Sequence, residues 1–412
     1  MDMTEQASIA RTAQTTEREI EVQLDHIFFS RTDARGVIRS FNADFKKISG
    51  YSGSELLNAP HRLVRHDGMP KGLFYQFWKA LKAGDPVGAY VKNRTKDGQF
   101  YWVFATVLPL DDGGYISVRI KPTSQMFLAI EPIYDELCAA EQASGLTPAQ
   151  SADLLVDRLR ALGHDSYGLF QAQAAYAEIS GRAKALGHAI GARLAWLLAM
   201  NDATARVRKE RQSVLDLLDE LQLLPTNMRL ISHRIERGNG PLSTLSERYG
   251  VMVDSLLKRL AGAVRTDHSH AHPEAEALFR QASSRLFIET AKAFRDQTEI
   301  QHGMDRVAEI RLLDHASQDW CRMTGALVEA ASVSVIHLSR EIDQMRRAIL
   351  ALDSIRVMCR VEFGQMADRS RDLANVIDRI DQCHRKMNDH LDRLAAASRM
   401  IEDAAESLLS NV

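Results

Sequence analysis

The sequence predicts an α+β domain at the front of the chain and an all-α coiled-coil or helical bundle behind it, on three observations. Proline and glycine, which interrupt helices, are concentrated early: seven of 10 prolines precede residue 149 and none follows Pro273, while 11 of 23 glycines precede residue 149. Short strand-like runs rich in β-branched and aromatic residues, joined by turns, flank short helical patterns in that front stretch. Beyond residue 200 apolar residues recur at sevens, the spacing of a coiled-coil seam.

Strand signals occupy residues 26–30 and 37–41 around the turn Thr32-Asp33-Ala34-Arg35-Gly36. Three more follow at 89–94, 100–109 and 115–121, joined by Thr95-Lys96-Asp97-Gly98 and Asp111-Asp112-Gly113-Gly114. Between the two groups lie helical pieces at 42–48 and from Ser52, where Ser52 and Glu55 have capping-box spacing, then a helix over 70–83 stopped by Gly84-Asp85-Pro86. Two strands, short helices and three strands describe a small antiparallel sheet with helices over one face. The organisation expected is a polar segment over 1–24, an α+β domain over 25–123, a connector helix over 124–146, a helical region over 147–264, a linker over 265–273 and a second helical region over 274–412.

In the helical region Val207, Val214, Leu221, Met228 and Ile235 recur at sevens, with Leu217, Leu224 and Ile231 in the companion position. The pattern breaks at Arg237-Gly238-Asn239-Gly240-Pro241 and restarts with Leu242, Leu245, Tyr249, Met252 and Leu256, which predicts an antiparallel hairpin. The last helix carries Leu373, Ile380, Met387, Leu394, Ile401 and Leu408 at strict sevens, with Cys383 and His390 also on the seam. That seam requires a helix partner, in cis or from a second subunit, and a homo-oligomer through helices is expected.

Lys plus Arg number 52 against 54 Asp plus Glu, a formal charge of −2, so no global charge excess advertises nucleic acid or an anionic membrane surface. The four cysteines form no CxxC pair or zinc-site cluster and point to a reducing compartment. His268, His270 and His272 alternate in the linker and are expected to be solvated, so no metal is expected. The N-terminus has no signal-peptide pattern, and the most apolar stretch, about 12 residues over 189–200, contains Arg193 where a spanning helix needs about 20 apolar residues. A cytoplasmic protein without a membrane span is expected. No glycine-rich nucleotide box follows the helices, and His233 has no ATP domain to phosphorylate it, so neither a kinase nor a cyclase, nor any catalytic residue, is expected.

The motifs Asn42-Ala43-Asp44-Phe45, Ser49-Gly50-Tyr51, Pro60-His61, Leu63-Val64-Arg65-His66, Met69-Pro70, Phe77-Trp78, Val91-Lys92-Asn93-Arg94 and Tyr101-Trp102-Val103 follow one another over about 110 residues. In that order they resemble the flavin-binding PAS domain of bacterial aerotaxis receptors, and Ile130-Glu131-Pro132-Ile133-Tyr134 is similar to that family's connector. The resemblance implies bound FAD: Phe74 and Trp78 walling the ring or adenine, Asn42 and Asn93 bonding polar edges, and Arg65 and His66 meeting phosphate or ribose oxygens. Asp67 stands one position earlier than the family's acid, and Val87 replaces an aromatic residue, which implies a weakly held flavin. No single histidine stands out as an axial ligand, so haem is the lesser expectation.

The hairpin resembles the signalling hairpin of chemoreceptors, with Met228, Arg237, Gly238, Asn239, Gly240 and Pro241 around its tip. That resemblance implies contact with a chemotaxis histidine kinase and its coupling protein, although the family's glutamate and arginine tip pattern is absent. The expected function is a cytosolic redox or oxygen sensor for energy taxis; its rival is a PAS scaffold with a different ligand or none and no kinase coupling.

Overall fold

The computed structural model describes residues 18–236, 240–266, 272–296, 305–365 and 371–410. Its front is a five-stranded antiparallel sheet of β1 (Phe28–Thr32), β2 (Ile38–Phe41), β3 (Val87–Arg94), β4 (Phe100–Pro109) and β5 (Tyr115–Ile120), in the order β2-β1-β5-β4-β3. Between β2 and β3 the chain forms α1 (Ala43–Ser49), α2 (Gly53–Leu56), a 3-10 turn (His61–Val64) and α3 (Lys71–Lys82), a crossover that carries β3 to the edge opposite β2. The capping box of Ser52 and Glu55 forms as its spacing predicts. Gly36 closes the first turn with φ of +74°, a conformation glycine adopts at little cost.

Strand alternation assigns the two faces. Ser30 lies opposite Ser117, Ala105 opposite Arg119 and Asn93 opposite Tyr101, so these side chains share one face with the core of Phe28, Phe41, Phe45, Leu56, Val64 and Val103. The other face is also covered, where the sequence predicts helices over one face only. α4 (Gln125–Ser144), α6 (Tyr167–Ala185) and α9 (Pro273–Asp296) supply that second layer. Trp102 meets Phe127 and Tyr134 of α4, Tyr90 meets Phe170 of α6, and Phe29 meets Phe294 of α9 with ring centroids 5.0 Å apart. α5 (Pro148–Ala161) begins at the Thr147 capping box and packs against α3.

The chain divides into two compact units that interleave in sequence. One holds the described residues up to Ala195 together with Ala275–Ala326, and the other holds Trp196–Glu274 and Leu327–Val412 as far as they are described. α9 and the first part of α10 (Arg306–Gln365) therefore belong with the sheet, whereas the sequence runs all of 274–412 together.

The second unit is an antiparallel bundle of α7 (Ala192–Glu236, from Trp196), α8 (Pro241–Thr266), the remainder of α10, and α11 (Arg371–Ser410). Val214, Leu221 and Met228 are buried, and Gln222 donates to Asp254 across the α7–α8 hairpin. All six heptad residues of α11 from Leu373 to Leu408 are buried within one chain. Arg346 pairs with Asp392 of α11 and Glu220 with Arg379, so α10 and α7 both flank that helix. The seam is filled in cis and does not by itself call for a second subunit. Cys383 is buried on it and His390 is half-buried, its Nδ1 2.6 Å from the Glu210 carboxylate.

A wider stripe than the heptad predicts is covered, because His384 is also buried, with Nε2 2.6 Å from the Tyr249 hydroxyl and Nδ1 2.6 Å from Asp353. Among the described residues, no helix is long and apolar enough to cross a membrane.

Candidate functional site

A cavity of about 480 Å³ opens between α3, the 3-10 turn and the inner face of the sheet. Ser30 and Thr32 of β1, Val91 and Asn93 of β3, Ala105 and Val107 of β4, and Tyr115, Ser117 and Arg119 of β5 form one wall. Phe74, Phe77, Trp78 and Leu81 of α3 form the other. Residues 74, 77, 78 and 81 recur at three and four, so one stripe of an amphipathic helix lines the cavity. Trp78 remains 38% exposed and meets Tyr115 edge-on at 5.4 Å, which leaves aromatic surface available beyond its own packing.

Arg119 dominates the electrostatics. It is 4% exposed, donates from Nη2 to Ser30 Oγ at 3.0 Å and to His61 Nε2 at 2.6 Å, and has no partner at Nη1. A guanidinium is always a donor, so His61 accepts at Nε2 and is the neutral tautomer protonated at Nδ1. Burial, reinforced by the Arg119 charge, holds the His61 imidazole well below its usual range. Burial also pushes Arg119 down to about 10. Among the described residues lining the cavity there is no carboxylate, while Arg35, Arg62 and Arg65 join Arg119 there.

A buried cation without a counter-ion is unfavourable unless something in the site offers electron density. Asn93 and Ser117 also line the cavity with an unpartnered amide nitrogen and hydroxyl. Donors without acceptors between aromatic walls fit a planar ligand rich in acceptors. The cavity lies within the range of about 300–1,000 Å³ usual for small-molecule sites.

The structure brings together Arg65, Phe74, Trp78 and Asn93 of the residues singled out in the sequence. Arg65 places its guanidinium 3.5 Å from the Phe74 ring centroid, and burial lowers its pKa. Asn42 lies elsewhere. Its side chain caps α1 by accepting from Phe45 N at 3.0 Å, accepts from Phe29 N at 2.9 Å and donates to Ile27 O, so every polar atom is committed to the fold. His66 does not line the cavity either; it accepts from Gly68 N at 3.0 Å and meets Phe100 edge-on. Asp67 is exposed and pairs with Arg94 at 3.3 Å. Burial first, then Lys92, lowers the His66 pKa.

Sequence reasoning missed Arg119, His61, Ser117 and Tyr115. Tyr115, Ser117 and Arg119 alternate along β5, but polar residues at period two ordinarily mark a solvent face, so the pattern alone points them outward.

In the bundle, Met228 is fully buried, which places it in the core and not on a docking surface. Arg237, Gly238 and Asn239 lie outside the described residues, as do His268 and His270. Gly240 and Pro241 begin α8, with Thr244 N donating to Gly240 O. No cluster of metal-ligating side chains occurs among the described residues.

The family model for the PAS fold matches residues 38–119. Over 119 residues the chain is 40% identical to the aerotaxis receptor of Escherichia coli K12, a match that takes in 28% of this chain and 24% of the receptor. Over 82 residues it is 32% identical to the biofilm dispersion protein BdlA of Pseudomonas aeruginosa, covering 20% of each. A solved LOV domain from the Erythrobacter litoralis EL346 blue-light activated histidine kinase is 19% identical over 23% of this chain and 94% of the domain, with a TM-score of 0.22. The chain thus spans about a quarter or less of the length of these two curated relatives. Its front is a PAS domain similar to that of an aerotaxis receptor, and the remainder is helical.

Proposed function

We propose that this chain is a cytosolic redox or oxygen sensor that holds FAD in the β-sheet cavity and relays the state of the flavin through its helices. The observation that carries the reading is Arg119: a buried guanidinium with a free Nη1, facing the aromatic stripe of α3 with no carboxylate among the described residues of the cavity wall. Identity to a protein named aerotaxis receptor supports it. A bound flavin supplies a reversible redox change that alters charge and hydrogen bonding at the ring edge. Arg119 presents positive charge to that edge, neutral His61 accepts from Arg119 without adding a second cation, and Asn93 offers an amide. Arg35, Arg62 and Arg65 supply the cations for a pyrophosphate, in the manner of charge-assisted phosphate contacts.

The relay runs through α3. Its Gly72 N–H donates at 3.1 Å to Glu141 of α4, and Ser151 of α5 donates to the same carboxylate at 2.6 Å, so a displacement of the cavity wall is felt by two helices. The output is a population shift and not catalysis.

An absorption spectrum of the purified chain tests the reading: a flavin band is expected, and Trp78→Ala or Arg119→Met should strip it. A colourless protein, or flavin content unchanged in both variants, would sink the assignment.

The expected chemotaxis kinase and coupling protein remain candidate partners, but the burial of Met228 favours the second reading, a PAS scaffold without kinase coupling. A pull-down with purified kinase and coupling protein separates the two. Tight binding that is lost on mutation of Arg237 or Asn239 supports coupling.

A further inference from the structure

Within the bundle, α10 carries two apolar stripes. Val335, Ile342, Met345, Ile349, Leu352 and Cys359 are buried against the other helices. On the opposite side Val333, Ile336, Leu350, Val357, Met358 and Val361 are each about half or more exposed, Leu350 the most at 65%. Arg340, Asp343 and Arg347 are exposed between them. At about 100° per residue all nine fall on one face of the helix. A bundle helix whose core is already filled ordinarily shows water a polar outer face, so this stripe calls for a cover.

Its order points to the occupant. Val333 and Val361 each lie 14 residues from Arg347, and Ile336 and Met358 each lie 11. Reversed on itself about Arg347, the stripe sets Val333 against Val361, Ile336 against Met358, Arg340 against Ser354, Leu350 against Gln344 and Val357 against His337. Asp343 then falls one turn from Arg347 of the other copy. Two Asp343–Arg347 pairs flank the axis and offset the one like-charge contact on it. Packed in parallel, the same stripe would set Arg340, Asp343 and Arg347 each against its own copy, an arrangement that like charges disfavour.

We propose that a second copy of this chain docks on this stripe, α10 against α10 in antiparallel sense, with the two-fold axis at Arg347. The contact is isologous, so it closes at a dimer. It uses neither the α11 seam nor the cavity of the sheet.

Sedimentation velocity of the full chain over a concentration series is the test. A reversible monomer–dimer equilibrium is expected. Asp343→Arg or Arg347→Asp alone should weaken it by about tenfold or more, because each puts like charges together at the axis. The double variant Asp343→Arg/Arg347→Asp should restore it. These residues are exposed, so the single variants should keep their helical circular dichroism. With a short bismaleimide, Ser354→Cys should cross-link no more than the unsubstituted chain, while Arg340→Cys/Ser354→Cys should form covalent dimers. A chain that stays monomeric at every concentration, a dimer indifferent to charge reversal, or self-cross-linking of Ser354→Cys would each overturn the proposal.

Discussion

Asn42 shows how one residue type can answer two different needs. Its amide caps α1 and satisfies backbone groups of Phe29 and Ile27 at 1% exposure. Removal of a cap together with buried backbone partners costs on the order of 2–4 kcal/mol. Asn42→Ala should therefore lower the melting temperature of the front unit markedly while leaving the flavin-to-protein ratio of the folded fraction unchanged. A loss of flavin at full thermal stability would return Asn42 to the ligand. His61 makes a prediction about pH. Burial holds its folded pKa well below the ordinary imidazole value of about 6.5, so the unfolded chain binds the extra proton first. Stability from this group is complete above about pH 6.5 and falls as the pH drops below it. Urea midpoints at pH 7.5 and 5.5 should differ more for the natural chain than for His61→Gln; equal differences would remove His61 as the source.

At the scale of elements, the second face of the sheet is closed by α4 and α6 and, from far away in sequence, by α9. Gly88 on β3 lies directly under α9: a Cβ there would stand 2.6 Å from the Phe279 ring, and Gly88 also exchanges hydrogen bonds with Gln171 and Tyr167 of α6. Gly88→Ala must push a buried aromatic ring aside, and overpacking of this kind costs about 1–3 kcal/mol. Hydrogen exchange in α9 should accelerate in this variant while the cavity-lining α3 keeps its protection. Unchanged exchange in α9 would show that the ring yields freely. Element positions were legible in the sequence: β4 spans Phe100–Pro109 as its apolar run between two turns predicts, and β1 begins two residues later than its signal. Which elements share a layer was not, because contacts that decide it, such as Phe29 with Phe294 and Gly88 with Phe279, join elements that are not neighbours in sequence.

At the scale of the molecule, α11 is an internal strut. Its seam residues and His384 are covered by helices of the same chain, with ion pairs to α7 and α10 along its length. Deletion of residues 371–412 should therefore lose more helical circular dichroism than that segment alone contributes, because α7, α8 and α10 lose their shared core. A truncated chain that loses only its own helicity, or that merely changes oligomeric state, would place the seam between subunits.

From local pattern alone the sequence determined the α+β front with its strands and caps, the helical remainder, the hairpin arms and the heptad seams, because alternation, capping and heptad spacing are properties of neighbouring residues. It also marked Arg65, Phe74, Trp78 and Asn93, which do meet at the cavity. Only the tertiary structure decided that Asn42 commits its amide to Phe29 and Ile27, that α11 is covered in cis, that α9 belongs with the sheet, and that Arg119 points inward beside a neutral His61. The reason is common to all four. A side chain's role depends on which face its neighbours bury, and those neighbours come from elements distant in sequence whose packing no local period encodes.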